Sequence, residues 1–143
     1  MLQILISYLV MMGSLSTFAG EMIKHPLVSY EEKEEAAVEN NSFRKIQVSG
    51  EKGRYRVIGE ARSNSGKLFY VVEDGHNELI SEKKLEMNEK FPLWSKIKIK
   101  INIPKEEMPE SGTIILYLYG RNEEGQMINE LPIILEKVQQ ADS

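Results

Sequence analysis

The segment Glu73-Asp74-Gly75-His76-Asn77-Glu78 sets carboxylates on both sides of an imidazole, the grouping that a cation site or an acid–base pair would need. Zinc takes further nitrogen or sulfur ligands in most structural sites, and the neighbouring sequence has neither a cysteine nor a second histidine. A helix–loop–helix calcium loop needs another ligand spacing and flanking helices. Asp-Gly readily takes the positive φ values of a tight turn, so the segment is expected to close a hairpin rather than to hold a metal. Ser81-Glu82-Lys83-Lys84 satisfies Ser-x-x-Lys, but the partner motifs of the penicillin-binding enzymes are missing and the serine falls on a strand pattern. Leu68 follows Gly66-Lys67 where a phosphate-binding loop requires Ser or Thr. Glu106-Glu107 and Glu123-Glu124 fall in expected loops, with no cleft to drive one carboxyl apart from its neighbour. No catalytic residue, metal site or cofactor is expected.

Aromatic residues offer a different chemistry. Tyr70, Tyr117 and Tyr119 each present a rigid face with a polar tip, which suits recognition as well as packing. Packing is the expectation for the set, because they lie on strands that look buried on both faces. Trp94, the only tryptophan, is expected in the core. Arg62 and Arg121 are expected to pair with Glu73 or Glu78 across a sheet. Asp74, His76, Asn77, Asn122 and Tyr119 form the set of expected ligand or partner contacts, most of them in turns. The loops Ser63–Gly66, Asp74–Asn77 and Asn122–Gly125 carry the recognition role in this reading, as loops at sandwich ends commonly do.

The elements that must position these residues are strands. After Ser42 the chain reads as short β-type runs separated by Gly, Asn and Asp, and no stretch sustains a helical apolar period. Ile46 and Val48 alternate with Lys45 and Gln47. Tyr55, Val57, Gly59 and Ala61 share one face, and the two small residues predict something bulky against them. Leu68-Phe69-Tyr70-Val71-Val72 and Thr113–Tyr119 are apolar on both faces, as central strands are. Glu78–Met87 is the expected return strand of the Asp74 hairpin. Ile97, Ile99, Ile101 and Ile103 alternate with Lys96, Lys98 and Lys100, whose charges discourage edge-to-edge association. Met127–Val138 contains Pro132, which marks an edge or a bulge. Two strands buried on both faces require two packed layers. The fold class is therefore all-β, an immunoglobulin-like sandwich of about seven strands over residues 43–138, followed by a tail at 139–143.

Residues 1–20 hold no charged side chain, and Leu2–Met12 is apolar over the length of a signal-peptide core, with small residues at Thr17 and Ala19. They are expected to form a signal peptide or N-terminal anchor. Residues 21–42, with Glu31-Glu32-Lys33-Glu34-Glu35 and His25, are expected to form a polar linker. The chain has 143 residues, no cysteine, and 18 basic against 22 acidic residues for a net charge of −4. This balance speaks against nucleic acid as the principal partner and against broad adhesion to anionic lipid.

Val57-x-Gly59-x-Ala61-Arg62, Tyr70-x-x-Glu73-Asp74-Gly75-His76, Trp94, Leu116-x-Leu118-Tyr119, Glu124-Gly125 and Glu130-Leu131-Pro132-Ile133 come in that order. The pattern resembles the immunoglobulin-like domain of bacterial spore germination proteins, from about Phe43 to about Val138. That family usually follows Gly-x-Ala-Arg with an aromatic and an acidic residue, where this chain has Ser63-Asn64-Ser65. The resemblance implies a non-catalytic adhesive or scaffolding module, extracytoplasmic and either secreted or at the cell or spore envelope, linked to sporulation or germination. Its implied partner is an envelope protein or cell-wall polymer, with no membrane contact beyond an N-terminal anchor. The alternative is an extracellular enzyme or enzyme inhibitor with a site near the Asp74–Asn77 turn.

Overall fold

A computed structural model describes residues 39–140. The expected signal or anchor segment, residues 21–38 of the expected linker with His25, and residues 141–143 of the tail lie outside the described residues. The seven strands are β1 (Phe43–Glu51), β2 (Arg54–Ala61), β3 (Leu68–Glu73), β4 (Glu78–Lys84), β5 (Ser95–Asn102), β6 (Gly112–Arg121) and β7 (Met127–Val138). A single 3-10 turn, Lys105–Glu107, joins β5 to β6. The strands form two antiparallel sheets, β1-β2-β5 and β4-β3-β6-β7, which is the expected immunoglobulin-like sandwich.

Alternation builds the core. Ile97, Ile99, Ile101 and Ile103 are buried from one side, with Tyr55, Val57 and Ala61 from β2. Ile114, Leu116 and Leu118 of β6, Leu68 and Val72 of β3, and Leu131, Ile133 and Leu135 of β7 meet them from the other sheet. Removing each such side chain from water contributes roughly 1.5–3 kcal/mol. β3 and β6 are the inner strands of their sheet, as their two-sided apolar runs predicted, and β5 is an edge strand bearing its lysines outward. β7 is an edge strand and is also irregular opposite Tyr119, where Asn129 takes a φ of 52°.

Gly59 explains a bend in β1. Arg44 pairs with Glu60 and Gln47 with Ile58, so Lys45 and Ile46 together face Gly59, a bulge in which Lys45 takes a φ of 54°. A methyl group on Gly59 would lie 2.5 Å from Cδ1 of Ile46. The bulky neighbour predicted at this small residue is therefore Ile46.

Two boundaries differ from expectation. Asn40–Ser42, assigned to the linker, belong to the fold: Oδ1 of Asn40 accepts the N–H groups of Ser42 (2.9 Å) and Phe43 (3.0 Å), and its Nδ2 donates to the Asn129 carbonyl (2.9 Å). β4 stops at Lys84 rather than Met87, because Leu85 turns into the core and donates its N–H to the Leu68 carbonyl at 2.8 Å.

One end of the sandwich, the Asn40 end, gathers the starts of β1, β3, β5 and β7 and the ends of β2, β4 and β6. The other, the Gly53 end, gathers the β1–β2, β3–β4 and β5–β6 connections.

Candidate functional site

The connection between β4 and β5 lies at the Asn40 end and carries Phe91-Pro92-Leu93-Trp94. Its base is pinned by Ser95, which is fully buried: Oγ accepts the Glu89 N–H at 2.8 Å and contacts the Glu89 carbonyl at 3.4 Å. A turn closes within the loop, from the Leu93 N–H to the Lys90 carbonyl at 2.9 Å. Phe91 and Leu93 project from it, 53% and 59% exposed.

Trp94 is not in the core. It is half-buried and lies between two guanidinium groups, with that of Arg44 4.1 Å and that of Arg62 4.3 Å from the ring centroid. Both cations are within the reach of a cation–π contact. Each is also tethered: Nε of Arg44 donates to Oε2 of Glu60 at 2.6 Å, and Nε of Arg62 to the Asn41 carbonyl at 3.2 Å. The Arg44 hydrogen bond, with smaller contributions from the charges of Arg44 and Lys45, holds the Glu60 carboxyl below its usual range. Trp94 precedes the buried Ser95, which pairs with Ala61, so Arg62 falls beside the indole by register. A depression of about 490 Å³ adjoins the loop, lined by Ser63–Gly66, Lys84–Met87 and Glu89–Phe91.

The expected contact residues do not converge. Asp74, His76 and Asn77 form the β3–β4 turn at the Gly53 end. Oδ1 of Asp74 accepts the N–H groups of His76 (2.8 Å) and Asn77 (2.7 Å), and Oδ2 lies 3.3 Å from Nδ2 of Asn77. The backbone hydrogen bonds from Asn77 and then His76 hold its carboxyl below the usual range. Asp74 thus shapes the turn, and the exposed His76 imidazole stands outside that network. Asn122 lies at the opposite end, about 20 Å away along β3. There its Oδ1 accepts the Gln126 N–H at 2.8 Å. The loops Ser63–Gly66 and Asn122–Gly125 share the Asn40 end, while Asp74–Asn77 does not. Among the described residues, no group of three or more His, Cys, Asp or Glu is placed to share a metal ion.

The tyrosine set divides between faces. Tyr70 packs against the core, whereas Tyr117 and Tyr119 lie on the outer face of the four-stranded sheet, beside Val71 and Phe69. The Tyr119 ring stacks on Phe69 with centroids 6.1 Å apart, and its hydroxyl donates to Glu82. Burial first, then that hydrogen bond, pushes the Tyr119 hydroxyl up to about 12. Arg121 closes the group, with Nη2 2.5 Å from Oε2 of Glu82 and Nη1 donating to the Gly125 carbonyl at 2.8 Å. Arg121 pairs with Glu82 rather than Glu73 or Glu78, because those two face each other at the far end of the sheet, with Glu73 opposite Ile115, whereas Arg121 closes the end of β6 beside Phe69 and Tyr119. Arg62 pairs with neither glutamate, since it lies on the Trp94 ring.

Sequence reasoning overlooked Phe91, Leu93 and Arg44. An apolar run interrupted by proline, where a loop should be polar, was the signal for the first two. Nothing local marked Arg44, since its place depends on the β1 bulge. Comparison with protein-family models, curated proteins and solved structures finds no match to the chain.

Proposed function

We propose that this chain is a non-catalytic binding or scaffolding module acting outside the cytoplasm, at the cell or spore envelope of a bacterium. The observation that carries this reading is the loop tip: Phe91 and Leu93 are exposed on a connection pinned by Ser95 and by the Trp94 clamp. Two large apolar side chains held on a rigid base present contact area with little ordering cost on association. The partner that fits is an envelope protein with an apolar recess, engaged by the tip with Arg62 at its rim. The resemblance to the immunoglobulin-like domain of spore germination proteins supplies the envelope context and the link to sporulation or germination.

The test combines fractionation with substitution. The full chain is expected in the envelope fraction, and the Phe91→Ser/Leu93→Ser variant is expected to release it while melting at the same temperature. An envelope-bound variant would refute the role of the tip, and a wild-type chain confined to the cytoplasm would refute the setting.

A further inference from the structure

The outer face of the three-stranded sheet is basic. Arg54 and Arg56 of β2, and Lys96, Lys98 and Lys100 of β5, all point away from the core and are exposed. Register places Arg56 directly opposite Lys100, and Ile58 opposite Lys98. Like charges directly opposite one another are destabilising, so the Arg56–Lys100 pair works against the fold, whereas Lys96 faces Glu60 and Arg54 faces Glu51 of β1. Among the described residues none of these five makes an ion pair: Glu51, opposite Arg54, is not within ion-pair distance of it, and Glu60, opposite Lys96, is held by Arg44 and Lys45. Five of the 18 basic residues of a chain that carries −4 overall thus share this face. Guarding a sheet edge accounts for the lysines of β5. It does not account for Arg54 and Arg56, which lie on the middle strand.

We propose that this face binds a linear polymer with phosphodiester charges in its backbone, of the glycerol phosphate type found in bacterial walls. Neighbouring strands are about 4.8 Å apart and alternate residues about 7 Å apart, so the cations form a staggered strip, Arg54 and Arg56 on one strand continuing into Lys100, Lys98 and Lys96 on the next. A glycerol phosphate repeat spans a length comparable to one step of that strip. The forked guanidinium groups of Arg54 and Arg56 match phosphate oxygens two at a time, while the lysines supply point charges. A depression of about 350 Å³, lined by Ser49, Arg54, Arg56, Lys100 and Asn102 among others, seats the strip at its Gly53 end. The extracytoplasmic reading enters only as the source of the polymer, and the face is distinct from the Phe91–Leu93 tip.

The test titrates fluorescently labelled poly(glycerol phosphate) with the purified full chain over a series of salt concentrations. If a polyanion of single-strand character engages all five cations, log K falls against log salt with a slope of about −3.5. Lys98→Gln/Lys100→Gln should bring that slope to about −2.1 and weaken binding at low salt by at least about tenfold. Arg54→Gln/Arg56→Gln should do the same, and Lys67→Gln/Lys137→Gln, exposed and away from this face, should change neither quantity. Phe91→Ser/Leu93→Ser should retain polymer binding, so failure of the tip reading and failure of this one are separable. Absence of binding by the folded chain, equal loss in the Lys67/Lys137 variant, or equal affinity for an uncharged glycan would overturn the proposal. Tighter binding of single-stranded DNA of equal charge would overturn it in favour of nucleic acid.

Discussion

Removing Arg62 tests whether the Trp94 clamp, rather than hydrophobic burial, organises the Phe91–Trp94 loop. The Arg62 guanidinium lies 4.3 Å from the indole centroid, while its 6.0 Å approach to Phe91 is at the limit of useful range. At a half-buried site such a contact is worth about 1 kcal/mol, and the exposed hydrogen bond to Asn41 adds about 0.5 kcal/mol. Arg62→Ala should therefore cost about 1–1.5 kcal/mol. Trp94→Ala forfeits both cation contacts and the covered part of the ring, for about 2–3 kcal/mol. The contact between the two side chains is lost only once in the double variant, so its cost should fall short of the sum by about 1 kcal/mol. Urea unfolding followed by far-UV circular dichroism measures all three variants on one footing. Because Trp94 is the only tryptophan, its emission reports the clamp directly, and Arg62→Ala should shift it to longer wavelength before any unfolding. Additive costs within about 0.3 kcal/mol, together with unchanged emission, would refute the clamp.

Two further outcomes follow from the packing and the buried tyrosines. Gly59→Ala should cost about 1–3 kcal/mol in a urea titration, because the new methyl meets Cδ1 of Ile46 and the Arg44 carbonyl at 3.1 Å. Ile46→Val should relieve part of that cost, and strictly additive losses would contradict the crossing of Ile46 over Gly59. The hydroxyls of Tyr55 and Tyr119 are both pushed up from 10.0 to about 12, first by burial and then by hydrogen bonds to Glu136 and Glu82. Their folded values lie above the unfolded one, so their contribution is complete below pH 10 and is lost as the pH climbs towards 12. Solvent screening at these hydroxyls, which sit near the surface, brings the loss to about 1 kcal/mol for each over the whole window. Stability should thus fall between about pH 10 and pH 12, and Tyr119→Phe should shallow the fall. A flat profile in that range would be inconsistent with the burial of either hydroxyl.

Period-two alternation determined much of this molecule from the sequence alone. The isoleucine row of β5 had one way to face, and the two-sided apolar runs of β3 and β6 had to be inner strands of a two-layer fold. Pro132 marked the edge, and the small Gly59 marked a crowded crossing. These features are local: each rests on residues within a strand's length and on the side-chain period of an extended chain. What only the tertiary structure decided rests on contacts between strands distant in sequence. Whether an indole is core or clamp depends on which arginines register brings to it, and the β1 bulge and the Ala61–Ser95 pairing supply them. The division of Tyr70 from Tyr117 and Tyr119, and the placing of Asp74 and Asn122 at opposite ends, likewise appear only when strands are assigned to sheets. The basic face was the least legible feature, because it joins residues 54 and 56 to residues 96–100. A net charge counts ions along the chain, and only the β2–β5 ladder gathers five of them on one side.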